Sequence, residues 1–272
     1  MNEGQFRKKM DEYRSSLRSK ASVIAVASGK GGVGKTFFTT NLAKYLESEG
    51  QRVLIIDCDV YLSNCYLHFG VTPEKDIFDL INGDDIAKCI TNVGGIDLIS
   101  GRSGDEFNKN IDYVKTILGV TQSLEFKYDY ILLDCPAGID SKILSLMTYC
   151  DERLVILNPN KYSLTDGYSL IKTLRLHYGV KEFSLIVNKC DSINECSHFS
   201  RRIDNTCMSF LPDVKVQMLG RLPTIINRCR EKDSSQEISK NLGNVVSLLN
   251  DKRKTGSIWL SHDLKTEFQV SF

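Results

Sequence analysis

Apolar runs and helix-length amphipathic segments alternate along most of this chain. The runs that read as strands are 22–28, 52–57, 96–100, 129–134, 153–158, 182–188 and 215–220. They are continuous rather than alternating, as in Val53-Leu54-Ile55-Ile56 and Tyr130-Ile131-Leu132-Leu133. Strands covered on both faces read this way. Helical stretches separate most of them, which predicts an α/β fold: a mainly parallel, doubly wound β-sheet flanked by helices. One domain is expected over about residues 21–250, with neither a linker nor an internal repeat inside it.

Two terminal segments stand outside this pattern. Residues 1–20 place Phe6, Met10, Tyr13 and Leu17 at helical spacing, with Arg7, Lys8, Lys9, Arg14 and Arg18 around them. Residues 251–272 open with Lys252-Arg253-Lys254 and continue through Trp259 to Phe272. In this tail Leu260, Leu264, Phe268 and Phe272 recur every fourth residue, as on a helix. Leu264, Thr266, Phe268, Val270 and Phe272 also alternate with Lys265, Glu267, Gln269 and Ser271, as on a strand. Periodicity leaves both readings open.

Composition narrows the class. Of 272 residues, 42% are hydrophobic and 25% charged, as in a globule with a substantial core, and the net charge is +1. No global field therefore steers the chain to nucleic acid or anionic lipid. The nine cysteines are scattered with no Cys-x-x-Cys pair, which reads as buried reduced thiols. That spacing also argues against a metal-cluster carrier. The histidines at 68, 177, 198 and 262 are isolated, so they offer no protein metal site. An N-terminal signal core and an apolar run of about 18 residues are both missing, which points to the cytoplasm or its membrane face.

The chemistry is concentrated after the first strand, in Ser28-Gly29-Lys30-Gly31-Gly32-Val33-Gly34-Lys35-Thr36, with a helical run from Phe37. A strand, a glycine-rich loop and a helix entered through Lys-Thr form a triphosphate grip. Gly29, Gly31, Gly32 and Gly34 let backbone N–H groups face phosphate oxygens, and the helix N-terminus adds its positive end. Lys35 can reach the β and γ phosphates, and the Thr36 hydroxyl can ligate Mg²⁺. Asp57 and Asp59 end the second strand, at the rim where α/β proteins bind ligands. Asp134 follows four apolar residues, as a Walker B carboxylate that holds Mg²⁺ does.

Lys30-Gly31-Gly32-Val33-Gly34-Lys35-Thr36 resembles the deviant Walker A loop of the MinD/ParA family of ATPases, and Asp134-Cys135-Pro136-Ala137-Gly138 resembles its second switch. The resemblance spans nearly all of residues 21–250 and implies ATP/ADP and Mg²⁺ as cofactors. It makes Lys30, Lys35 and Asp59 catalytic: Lys30 reaches across an ATP-dependent homodimer, and Asp59 polarises the attacking water. It puts Thr36, Asp57 and Asp134 at the metal. Nucleotide contacts fall to residues 29 and 31–37, including Val33 and Phe37, with Asn188 and Pro223 at the adenine.

The sequence is most similar to the FlhG branch, regulators of flagellar number and placement. Residues 11–18 resemble that branch's activator helix, which implies an FlhF-like GTPase partner for residues 1–20, and Asn158 to Asp166 resembles a second branch segment. The activator's Gln-Ala core is absent, and Tyr61 stands where the switch usually has glycine. In these proteins a C-terminal amphipathic helix touches membrane, so the tail is expected as a peripheral membrane contact or as a structural, partner-binding segment. The rival readings are a MinD-like division-site regulator and a ParA-like partition ATPase; DNA binding is disfavoured by the near-neutral charge.

Overall fold

Strand β1 (Ser22–Ser28) lies at the middle of an eight-stranded sheet in the computed structural model, which describes residues 20–101, 112–224 and 231–254. The other strands are β2 (Val53–Asp57), β3 (Thr91–Val93), β4 (Ile96–Ile99), β5 (Tyr130–Ala137), β6 (Glu152–Leu157), β7 (Glu182–Val187) and β8 (Lys215–Arg221). Their order is β3-β4-β2-β5-β1-β6-β7-β8. All neighbours are parallel except β3 and β4. The fold class is therefore the α/β class read from the sequence.

The continuous apolar runs are explained by two cores, one on each face. Ile24 and Val26 of β1, with Val53 and Ile55 of β2, face helix α1 (Lys35–Ser48) through Phe38, Leu42 and Leu46. Val23, Ala25 and Ala27 share the opposite core with Leu54, Ile56, Ile131 and Leu133. That second face is covered by α5 (Tyr113–Leu124), α6 (Ser141–Tyr149), α7 (Lys161–Tyr178) and α8 (Ile193–Phe210). Three short helices, α2 (Cys65–Phe69), α3 (Ile77–Ile81) and α4 (Ile86–Cys89), fill the crossover between β2 and β3.

β3 was not among the expected strands. It has only three residues, Thr91-Asn92-Val93, and pairs antiparallel with β4 through Gly94-Gly95, both at positive φ (57° and 89°). Two such residues make the tight hairpin whose twist matches the strands. The eight described cysteines are all buried thiols.

The last helix, α9 (Glu231–Lys254), lies on the α1 face and continues past residue 250. Lys252 sits inside the domain: its Nζ donates to Glu152 at 3.0 Å and to Ser184 Oγ at 2.5 Å. One charge of the basic triplet is thus committed to the sheet. Residues 1–19 and 255–272, which carry the expected partner helix and most of the tail, lie outside the described residues. No described helix is long and apolar enough to cross a membrane.

Candidate nucleotide site

The strand order brings the chemistry together. β2, β5 and β1 are neighbours, with Asp57 opposite Asp134 and Asp134 opposite Val26. Both carboxylates and the glycine-rich loop therefore meet at one rim of the sheet. Thr36 Oγ1 donates to Asp134 Oδ2 at 2.6 Å, and Thr39 Oγ1 donates to its other oxygen at 2.9 Å. Thr39 is a site residue the sequence reading missed; its position one helical turn after Lys35 was the available signal.

The loop has the form of an anion cradle. Cβ atoms added at Gly31 or Gly32 would meet nothing within 4 Å, so the backbone faces open space there. Gly34 (φ 96°) precedes α1 and provides no capping side chain, and the first turn of α1 carries no acid. The helix's first N–H donors and its positive end are thus left for an anion. Gly29 is required by packing, since a Cβ would lie 2.2 Å from the Asp166 carbonyl of α7. Lys35 is half-buried, whereas Lys30 is exposed with its Nζ 5.9 Å from the Tyr162 ring centroid. Phe37 packs half-buried on the α1-face core.

Asp57 holds the segment that follows it. Its Oδ2 accepts from Ser63 Oγ (2.6 Å), Asn64 N (3.0 Å) and Cys65 N (3.1 Å), and its Oδ1 accepts from Asp59 N (3.1 Å). Asp59 is left half-exposed at the rim. Tyr61 anchors the same segment, with its ring 5.8 Å from Phe78 and 6.1 Å from Tyr113. An aromatic at this position ties the switch to α3 and α5, where glycine would leave it free.

The electrostatics suit a cation. Burial and then the Asp134 charge push Asp57 up to about 6, against its hydrogen bonds. Burial also raises Asp134, opposed by the bonds from Thr36 and Thr39 and by Lys35. Burial and then Asp57 raise Asp59, with Lys35 pulling the other way. Asp57, Asp134 and the Cys65 thiol each place a ligand atom within 4.8 Å of the others. The two carboxylates and the Thr36 hydroxyl form a hard oxygen set that fits Mg²⁺.

Asn188 and Pro223 come together at the ends of β7 and β8, where Cys190 N donates to Leu222 O at 3.0 Å. Pro223 is buried. Asn188 is buried: its Nδ2 donates to Val33 O at 2.7 Å, and its Oδ1 accepts from Lys189 N at 2.9 Å. The amide nitrogen of Asn158, oriented as its neighbours dictate, lies 3.2 Å from the Val33 and Asn188 carbonyls. Two asparagines at adjacent strand ends thus brace the middle of the loop.

This fold and site define a P-loop nucleotide-binding protein. A family model described as an AAA domain matches residues 21–185, and the chain belongs to the MinD/ParA family of P-loop ATPases, close to its FlhG branch. The antiactivator FleN of Pseudomonas aeruginosa is 30% identical over 209 residues, 74% of this chain and 73% of that protein. The flagellum site-determining protein YlxH of Helicobacter pylori is 28% identical over 270 residues, 93% of this chain and 90% of the other. The cell division ATPase MinD of Pyrococcus furiosus shares the fold with a TM-score of 0.67 at 23% identity, across 84% of this chain and 99% of its own.

Proposed function

We propose that this chain is an ATP-dependent dimerising switch of the FlhG kind that sets the number or placement of flagella and hydrolyses ATP slowly. The observation that carries the reading is Lys30, exposed on the loop beside Tyr162 while Lys35 stays half-buried near Asp59 and Asp134. A cation so placed is available to a nucleotide on a second copy of the chain. A charge delivered in trans stabilises transferring phosphoryl oxygens as an arginine finger does. The flagellar reading is supported by likeness to YlxH, a flagellum site-determining protein.

In this reading Lys35 neutralises the β and γ phosphates, and the bare start of α1 receives them. Thr36 and Asp134 would hold Mg²⁺, with Asp57 beside it, and the ion would supply positive charge against the charge that develops on the phosphates. Asp59, held at the rim by Asp57, orients the attacking water. A related MinD of Pyrococcus horikoshii has been solved with Mg-ADP. The chain works in the cytoplasm and at the inner membrane face, with residues 1–20 meeting an FlhF-like GTPase and the tail beyond the domain meeting lipid.

The test pairs Lys30→Ala with a gene deletion. With ATP and Mg²⁺ the native chain should run as a dimer in light scattering, and Lys30→Ala should bind ATP yet remain a monomer. A normal dimer in the variant overturns the trans role. Deletion should change the flagella counted per cell; normal flagella with misplaced septa would move the function to division.

A further inference from the structure

An exposed aromatic ring stands beside the glycine-rich loop without touching the phosphate cradle. Tyr162, at the start of α7, is 63% exposed, and Lys30 and Lys161 both place Nζ against its ring, 5.9 Å and 5.1 Å from the centroid. We propose that Tyr162 is a positioning residue for the trans lysine: its ring holds the Lys30 ammonium outward, ready for the nucleotide of a second copy of the chain. The inference rests on the dimer reading above and names the side chain that prepares it.

Both ends of the contact stand on a fixed backbone. The Ser28 hydroxyl donates to Lys30 O at 2.6 Å. One residue earlier, α7 packs on the loop so closely that a Cβ at Gly29 would lie 2.2 Å from the Asp166 carbonyl. The first turn of α7 is capped by Asn160, whose Oδ1 accepts the Ser163 N–H at 2.9 Å, and the Ser163 hydroxyl accepts the Asn158 N–H at 2.9 Å. Loop and helix are therefore held in one relation, and residues 30 and 162 come together on their outer edge. A contact set by two pinned backbones belongs to the fold and is not a chance meeting of surface side chains.

The kind of neighbour matters. A carboxylate beside Lys30 would cancel its charge and would have to be released when a phosphate arrived. An aromatic face attracts the ammonium through its quadrupole, weakly and without neutralising it. No salt bridge engages Lys30 among the described residues. A free lysine stem spreads over many rotamers, and ordering it on binding weakens affinity. Holding the stem extended beforehand reduces that cost, so the ring favours the dimer and leaves nucleotide binding by a single chain unchanged. Lys161 on the same ring puts a second positive charge beside Lys30, which strengthens the pull on an anion carried by the partner. An exposed contact of this kind is worth about twofold to fivefold in an equilibrium constant. A symmetric dimer contains it twice, giving about 5- to 30-fold.

The experiment measures self-association of the full-length chain by sedimentation equilibrium with Mg²⁺ and a non-hydrolysable ATP analogue. Tyr162→Leu should raise the dimer dissociation constant by about 5- to 30-fold, and Tyr162→Phe, which keeps the ring, should stay within about twofold of the native chain. Dilute Tyr162→Leu should bind fluorescent ATP as the native monomer does, which also shows that the variant is folded. In monomeric protein carrying isotope-labelled lysine, the magnetic resonance signal of the Lys30 ε-methylene should be displaced by the ring. That signal is assigned by its loss in Lys30→Ala, and Tyr162→Leu should return it to the ordinary lysine position. A Tyr162→Leu dimer as tight as the native one, or tighter, overturns the proposal. So does a Tyr162→Phe dimer as weak as that of Tyr162→Leu, a Lys30 signal that Tyr162→Leu does not move, or an equal loss of ATP binding by the Tyr162→Leu monomer. If the native chain stays monomeric with the analogue, the dimer reading itself fails and this inference with it.

Discussion

Asn188 shows how one side chain sets the site. It is 3% exposed, and its amide joins the end of β7 to the carbonyl of Val33. A Cβ at Gly34 would collide with its Nδ2 at 2.2 Å, so loop and asparagine are fitted to each other. Asn188→Ala leaves the Val33 carbonyl without that donor and frees the loop to move. The expected result is a stability loss of about 1–3 kcal/mol in urea unfolding together with weaker ADP binding. Wild-type affinity in a destabilised variant would show that the brace is structural only.

At the scale of elements, α9 is joined to the sheet by more than apolar contact. Leu242, Val245 and Leu249 are buried against the α1-face core, and Lys252 reaches Glu152, which is only 5% exposed. Removing the cation leaves a buried carboxylate with a reduced complement of partners. Lys252→Ala should therefore cost about 3 kcal/mol, read as a lower urea midpoint, and Lys252→Met should not restore it. A midpoint equal to the native one would mean that the pair contributes nothing. β3 belongs to the same scale: its hairpin glycines were visible in the sequence, but three residues with exposed or half-exposed side chains carry no hydrophobic period.

Across the whole molecule, parallel pairing sets two buried carboxylates side by side at the centre of the sheet. Both are raised by burial, Asp57 to about 6. A carboxylate whose folded value exceeds its unfolded value of about 4 stabilises the fold fully below that lower value, and the benefit is lost as pH rises through the folded one. Nucleotide-free protein should therefore lose stability between about pH 4 and pH 6 from this source. Urea midpoints across that range should fall for the native chain and flatten in Asp57→Asn, which keeps an acceptor for Ser63 and the backbone. Equal slopes in the two proteins would place the titration elsewhere.

The local code was legible where chemistry is contiguous. The run from Ser28 to Thr36, the two strand-ending aspartates and Asp134 each announce themselves by residue type and position, and continuous apolar strands announce the sheet. The sequence by itself determined the α/β class and the phosphate loop, because both are written in neighbouring residues. Tertiary structure alone decided which distant groups meet that loop. The order β2-β5-β1-β6-β7 brings Asp57, Asp134, Asn158 and Asn188 to one rim. It also decided that Asn188 faces the loop. The physical reason is that hydrogen-bond partners far apart in sequence are chosen by strand pairing and burial, and a linear pattern does not encode the direction of a side chain.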